Sequence, residues 1–317
     1  MARSFNDFLG SKPAYYAQDV LKRVGVTGPP VDLDAIADFR GYEIREISAA
    51  DHPQFPNLRS ILATASAHLL RSFNLILINR DMPLVRRRSD RSHELGHDIM
   101  PWQAGLDFSC GESALNSPMQ LVEREAFSAG AELLLPRPSF TDDAEATRLA
   151  IPSIHGLSRR YQAPLEVTAM RYAALSLRRC AILVAEPPTA GHLYGSYHGS
   201  PAGQGQLEFP FRIQRRPLAA APLPPLAVKY FLKSVRFPHF IFPHTPIAED
   251  TVIFRSWRSG LSVTDDIPAV ALGVNNRHVS YRAECHPFGF NGTSKVLVLL
   301  SVEDHQLALR LSMGGAS

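Results

Sequence analysis

His93, Glu94 and His97 fall within five residues, in the order His-Glu-x-x-His. On an α-helix, residues four apart lie one above the other on a single face. Two imidazoles placed that way can hold one Zn²⁺ between them, and a carboxylate next to the first can reach a water at the metal. The chemistry this suggests is metal-assisted peptide hydrolysis, with His93 and His97 as ligands and Glu94 as the catalytic base. The plain alternative, for five residues alone, is a solvated helix carrying two surface histidines.

A catalytic zinc site takes three protein ligands and keeps a fourth position open. The third ligand must come from another element, and a helical stretch at Met119–Leu135 offers two carboxylates, Glu123 and Glu125. They stand about 200° apart around a helix, so only one can face a given metal. Viewed down the axis, Val122, Ala126, Ala129, Gly130 and Leu133 gather on one side, and Phe127 and Leu134 widen that apolar arc. Glu123 falls inside the arc, while Glu125 falls with Glu132 towards the polar side continued by Arg124. A carboxylate on a buried face is costly unless it is paired or bound to metal. That favours Glu123 as the third ligand; Glu125, read as part of a solvated face, stays as the alternative. The small residues Ala126, Ala129, Gly130 and Ala131 would let this helix come close to the one carrying the histidines. Gly130 is a poor helix former, which suggests packing rather than propensity as its reason.

The elements that must position these residues can be read around them. A helix is expected over Arg86–Met100, ended by Pro101. Residues Trp102–Pro118 read as a loop with two glycines. Upstream, Ala14–Val24 reads as a helix closed by Gly25, Gly28 and two prolines, and Asp32 as the cap of a helix over Leu33–Arg40 that Gly41 ends. Tyr42–Ile47 alternates like an edge strand, and Ser60–Ala65 with Phe73–Ile78 read as a strand pair. Downstream, Pro136 and Pro138 stop the second helix, and two more follow at Ile154–Tyr161 and Leu165–Leu177. Past Glu186 the chain turns rich in Pro, Gly, Ala and Ser, as a linker would. The remainder carries β-prone runs at Val252–Trp257, Val279–Arg282 and Lys295–Val302. The expected fold class is therefore α+β: a mainly helical core with a small sheet (1–150), a helical extension (151–186), a linker (187–226) and a β-rich C-terminal domain (227–317).

Composition sets the outer bounds. The chain has 317 residues, 45% apolar and 20% charged, with a net charge of +3, so no strongly polyanion-seeking surface is implied. Cys110, Cys180 and Cys285 are far apart and form neither a metal-binding pair nor a disulfide framework, which suits a reducing compartment. Residues 1–10 lack the apolar core of a secretory signal, and no apolar run is long enough to span a membrane. A soluble, cytoplasmic protein is expected.

His93–His97 followed by Glu123–Pro136 (EREAFSAGAELLLP) resembles the ImmA/IrrE family of metallopeptidases, in which HELGH precedes a pattern like E-x-E-A-N-x-F-A-A-E-L-L-x-P. Pro101-Trp102 looks like a subgroup with LPW there, and Val31–Ala37 is similar to the family's N-terminal P-V-D-L-x-x-I-A. Leu157–Leu175 resembles the helical segment after the peptidase core. The resemblance covers roughly Pro30–Glu186. It implies a zincin-like core of the gluzincin type, Zn²⁺ on His93, His97 and Glu123, and Glu94 as the base. It further implies a helix-turn-helix repressor as substrate, cut in a bacterial stress or mobile-element response. In one branch the C-terminal domain looks like a GAF-type sensor. Two places depart from the family: Phe127 stands where it has Asn or Asp, a residue that can orient a ligand histidine, and Arg86–Ser92 (RRRSDRS) is more polar than the usual helix.

A different class of function is also open. The helices at Ile154–Tyr161 and Leu165–Leu177 could form a helix-turn-helix, with Arg159, Arg160, Arg171, Arg178 and Arg179 near phosphates. The protein would then be a DNA-binding regulator with a vestigial metal site. The blander reading is a helical extension packed on the core with solvated arginines. Arg86–Arg88 likewise reads as a solvated helix start, and His239, His244, His278, His286 and His305 have no metal-ligand spacing among themselves.

Overall fold

The structure, a computed structural model, describes residues 12–52, 54, 62, 66–104, 108–109, 119–188, 224–289 and 294–302. It is α+β, with a helical core, two sheets and a strand-rich C-terminal region. The chain divides into two compact units. One comprises 1–182, 232–239 and 299–317; the other comprises 183–231 and 240–298. No helix among the described residues is long and apolar enough to cross a membrane.

The first unit opens with α1 (Lys12–Val24), whose apolar stripe of Ala14, Ala17, Val20 and Leu21 is buried. Helix α2 (Leu33–Arg40) begins and ends as its sequence requires. The Asp32 side chain accepts from the backbone N–H groups of Asp34 and Ala35, and Gly41 closes the last turn at φ 80°. A four-stranded sheet follows in the order β1-β3-β2-β4, with β1 at Glu43–Ile47, β2 at Ala67–Leu70, β3 at Leu75–Asn79 and β4 at Phe108–Ser109. The expected edge strand is β1, which runs parallel to β3. The expected strand over Phe73–Ile78 is β3, with Ile76 and Ile78 fully buried. Its antiparallel partner is β2. The expected partner at Ser60–Ala65 lies almost wholly outside the described residues. The β2 sequence, Ala-His-Leu-Leu, has no β-branched residue; what makes it a strand is burial against β3.

Helices α3 (Leu84–Asp98) and α4 (Met119–Leu134) carry the chemistry-bearing residues and pack against each other. Helix α5 (Arg137–Glu145) was not expected from the sequence, where Pro136 and Pro138 read only as a stop. Both prolines instead sit at its start, where no backbone N–H is needed. Helices α6 (Ile151–Tyr161) and α7 (Leu165–Leu175) complete the helical part, close to their expected bounds.

The strand-rich region forms a five-stranded sheet in the order β6-β5-β9-β8-β7. Its strands are β5 (Cys180–Glu186), β6 (Ala227–Lys233), β7 (Val263–Pro268), β8 (Ser280–Phe288) and β9 (Lys295–Ser301). The expected strands at Val279–Arg282 and Lys295–Val302 are parts of β8 and β9. The β-prone run Val252–Trp257 is instead a helix, α8 (Val252–Ser259). Thr251 caps it by accepting from the Phe254 N–H, Gly260 ends it at φ 68°, and Val252, Ile253, Phe254 and Ser256 are buried. Capping and one-sided burial override the β preference of Val, Ile and Phe. Of the linker expected at 187–226, residues 189–223 lie outside the described residues.

Candidate metal centre

Helices α3 and α4 approach more closely than side chains would permit. A Cβ added to Gly96 would stand 2.4 Å from the Ala126 carbonyl oxygen, and one added to Gly130 would stand 2.7 Å from that of Ser92. The two glycines, one on each helix, let the backbones touch. The small-residue stripe on α4 thus serves close approach, and Gly96, inside the five-residue motif, is its counterpart.

This approach brings three donor groups together. The Nε2 atoms of His93 and His97 are 3.2 Å apart. From α4, the Glu123 carboxylate puts Oε2 at 3.2 Å from His93 Nε2 and Oε1 at 3.6 Å from His97 Nε2. All three side chains are buried. Among the described residues they are the one group of three such side chains close enough to share an ion, with ligand atoms within 4.8 Å of one another. A tetrahedral ion with ligands at about 2.1 Å holds neighbouring donors roughly 3.4 Å apart, close to what is seen. Two imidazole nitrogens facing each other at this distance cannot both carry a proton in neutral rings, and a shared cation suits both lone pairs. The donor set fits a metal.

The electrostatics agree with that fit. Burial pushes the Glu123 carboxyl up, but the two imidazoles beside it outweigh burial and bring it to about 2, so it is an anion. Burial, the largest effect on His93, pushes its imidazole down and favours the neutral, metal-ready ring. Deprotonated donors are what a metal ion takes. Glu94, next to His93 in the sequence of α3, is fully buried and is not one of the three donors.

Glu125 is occupied elsewhere. Its Oε2 accepts from Trp102 Nε1 at 2.6 Å and from Gln103 Nε2 at 3.0 Å. It is therefore not the solvated residue that the helical spacing suggested, and the structure brings Glu123 rather than Glu125 to the histidines. Gln103, which sequence reasoning missed, is fully buried in a short 3-10 turn at Pro101–Gln103. Its Oε1 accepts from His97 Nδ1 at 2.8 Å, and its amide also donates to the Val122 carbonyl at 3.3 Å. An acceptor at Nδ1 keeps the proton there and turns the Nε2 lone pair towards the other donors. The resemblance noted above led to an orienting residue at position 127; here a glutamine from a different element orients a histidine. Only the Pro-Trp-Gln turn after α3 hinted at it.

Phe127 does something different. Its ring centroid lies 4.2 Å from that of His93, tilted by 39°, and the residue is 53% exposed. The apolar arc to which its spacing assigned it is not buried at this point.

The polar run before the motif is solvated at Arg86, as expected, but from Arg87 onward it docks on neighbouring elements. Arg87 and Arg91 both pair with Glu46 on β1, and Arg91 also pairs with Asp34 at 3.0 Å. Arg88 donates to the backbone oxygens of Val31 and Gln162, and Asp90, buried, pairs with Arg86 at 3.0 Å. At the other end of α3, Asp98 holds Arg40 at 2.6 Å and Arg71 at 3.2 Å. These contacts pin the helix that carries three of the four proposed residues.

Three of the five arginines in and just after α6 and α7 are also engaged. Arg171 is buried against Glu132 and the Leu135 carbonyl, Arg160 pairs with Asp143 at 2.8 Å, and Arg178 donates to Tyr172 Oη and the Glu145 carbonyl.

Comparison with known proteins completes the description. Residues 57–172 match the model of a peptidase family, described as the IrrE N-terminal-like domain. No curated protein matches the chain. Among solved structures, a Mycobacterium tuberculosis transcriptional regulator is similar with a TM-score of 0.55 at 11% identity, over 95% of this chain and 94% of that one. At that identity the likeness is one of fold alone.

Proposed function

From the match of residues 57–172 to the IrrE N-terminal-like peptidase family, we propose that the protein is a zinc-dependent endopeptidase whose substrate is a DNA-binding repressor. The observation that carries the reading is the convergence of His93, His97 and Glu123, buried, from two helices interlocked at Gly96 and Gly130. Two nitrogens and one carboxylate oxygen suit zinc and leave a position free. When bound, the ion supplies Lewis acidity at that position. Glu94 takes the proton of the attacking water and delivers it to the departing amine. Gln103 keeps the Nδ1 proton of His97 in place. The cytoplasm suits such a substrate, and the β-rich region is the natural place for a signal-sensing or partner-selecting role.

The test is cleavage of a helix-turn-helix repressor, first the product of a neighbouring gene, by zinc-loaded protein. Glu94→Gln keeps its zinc and loses cleavage; a Glu94→Gln protein that still cuts removes Glu94 from its role.

The fold likeness to a transcriptional regulator favours a second reading, in which the chain binds DNA and the metal site is vestigial. Against it, Arg160 and Arg171 of the α6–α7 pair, and Arg178 just after it, are already held by acidic or backbone groups of the protein. A gel shift on promoter DNA, run beside the cleavage assay, separates the two.

A further inference from the structure

One large apolar side chain at the metal centre is left uncovered. Phe127 lies four residues after Glu123, so the two share a face of α4. Its ring rests on the His93 imidazole with centroids 4.2 Å apart. The ligands beneath are nearly shut off from solvent, at 8% exposure for His93, 0% for His97 and 6% for Glu123, while Phe127 is 53% exposed. Isolated exposed apolar residues are ordinary on protein surfaces and need no explanation. This one differs because it is fixed in contact with a ligand histidine and is more than half open beside three buried ligands.

We propose that Phe127 forms a wall of the subsite that receives the substrate side chain next to the scissile bond, and that it selects a bulky apolar residue there. The proposal rests on the peptidase reading of the site. A peptide carbonyl brought to the position between His93, His97 and Glu123 has its neighbouring α-carbons within about 4 Å along the chain, so a flanking side chain comes within reach of a ring already touching His93. An aromatic or branched aliphatic group there covers the exposed ring and gains packing that a small or charged group does not. Phe127 is thus a specificity-determining residue; proton transfer and ligation belong to other side chains.

The test uses zinc-loaded full-length protein and two probes that share one metal-binding group: acetohydroxamate and a benzyl-substituted succinyl hydroxamate. Affinities come from calorimetry and zinc content from elemental analysis. The wild-type protein should prefer the benzyl probe by a factor on the order of ten beyond the preference of Phe127→Ala. Phe127→Leu should fall between, and it serves as the test variant if Phe127→Ala loses zinc. An equal preference in wild type and variant overturns the subsite. Zinc-loaded wild type that binds neither hydroxamate overturns the peptidase reading itself and the subsite with it, and is recognisable because both probes fail together.

Discussion

Gly96→Ala tests the physical basis of the metal centre most directly. The new Cβ would lie 2.4 Å from the Ala126 carbonyl oxygen and 3.0 Å from the Gly130 nitrogen, where ordinary contact begins near 3.4 Å. Both obstacles are backbone atoms, so no rotamer change relieves them. Helix α3 is pinned by Asp98 to Arg40 and Arg71, and by Arg87 and Arg91 to Glu46. The strain therefore goes into separating α3 from α4, by about 1 Å. Overpacking of this kind costs roughly 1–3 kcal/mol, or a fall in Tm of about 2–12 °C for a unit of this size. The same displacement pulls Glu123 away from His93 and His97, now 3.2 and 3.6 Å distant. Zinc affinity should fall by at least roughly ten- to a hundredfold, the loss seen when support for a ligand is removed. A chelator-competition titration measures the affinity and a thermal melt the stability. The matching control is Gly156→Ala in α6, where a Cβ meets nothing within 4 Å. It should stabilise by up to about 1 kcal/mol, through propensity alone. Gly96→Ala protein with wild-type Tm and zinc affinity would refute the claim that the helix contact builds the site.

Three further outcomes are expected. Gln103→Ala removes the acceptor at His97 Nδ1 and should weaken zinc binding by about ten- to a hundredfold; affinity within twofold of wild type would show that Gln103 merely fills space. Arg171→Met leaves Glu132 buried without its charge partner and should cost about 3–5 kcal/mol in urea unfolding, whereas Arg171→Met with Glu132→Leu should recover much of that loss. Tyr161, Tyr172 and Tyr281 are all pushed up to about 12 from 10.0, chiefly by burial. The folded state holds these protons more tightly than the unfolded chain, so their contribution to stability is complete below pH 10 and is lost as the pH rises from there towards 12. Ultraviolet titration should show part of the tyrosine signal delayed until unfolding; all nine tyrosines ionising together near pH 10 would contradict this.

What the sequence determined by itself is what local spacing determines. Two histidines four apart share a helix face whatever surrounds them, so His93 and His97 were legible as a pair. Glu123 was legible as a buried carboxylate because its neighbours define an apolar arc. Asp32 and Gly41 bound α2 because capping is a contact within a few residues. Where the chemistry depends on groups far apart in the chain, only the tertiary structure decided. The orientation of His97 comes from Gln103 on a turn beyond the helix, and Glu125 is withdrawn from the histidines by that same turn. Phe127 belongs to an apolar arc by spacing, yet it stands open because α3 covers the arc only as far as His93. The arginines before the motif looked solvated until β1 and α2 supplied Glu46 and Asp34. Val252–Ser259 became a helix against its β propensity because burial of one face outweighs a preference worth about 1 kcal/mol or less. Periodicity records which way a side chain points along its own element; what it meets there is set by elements packed from elsewhere in the chain.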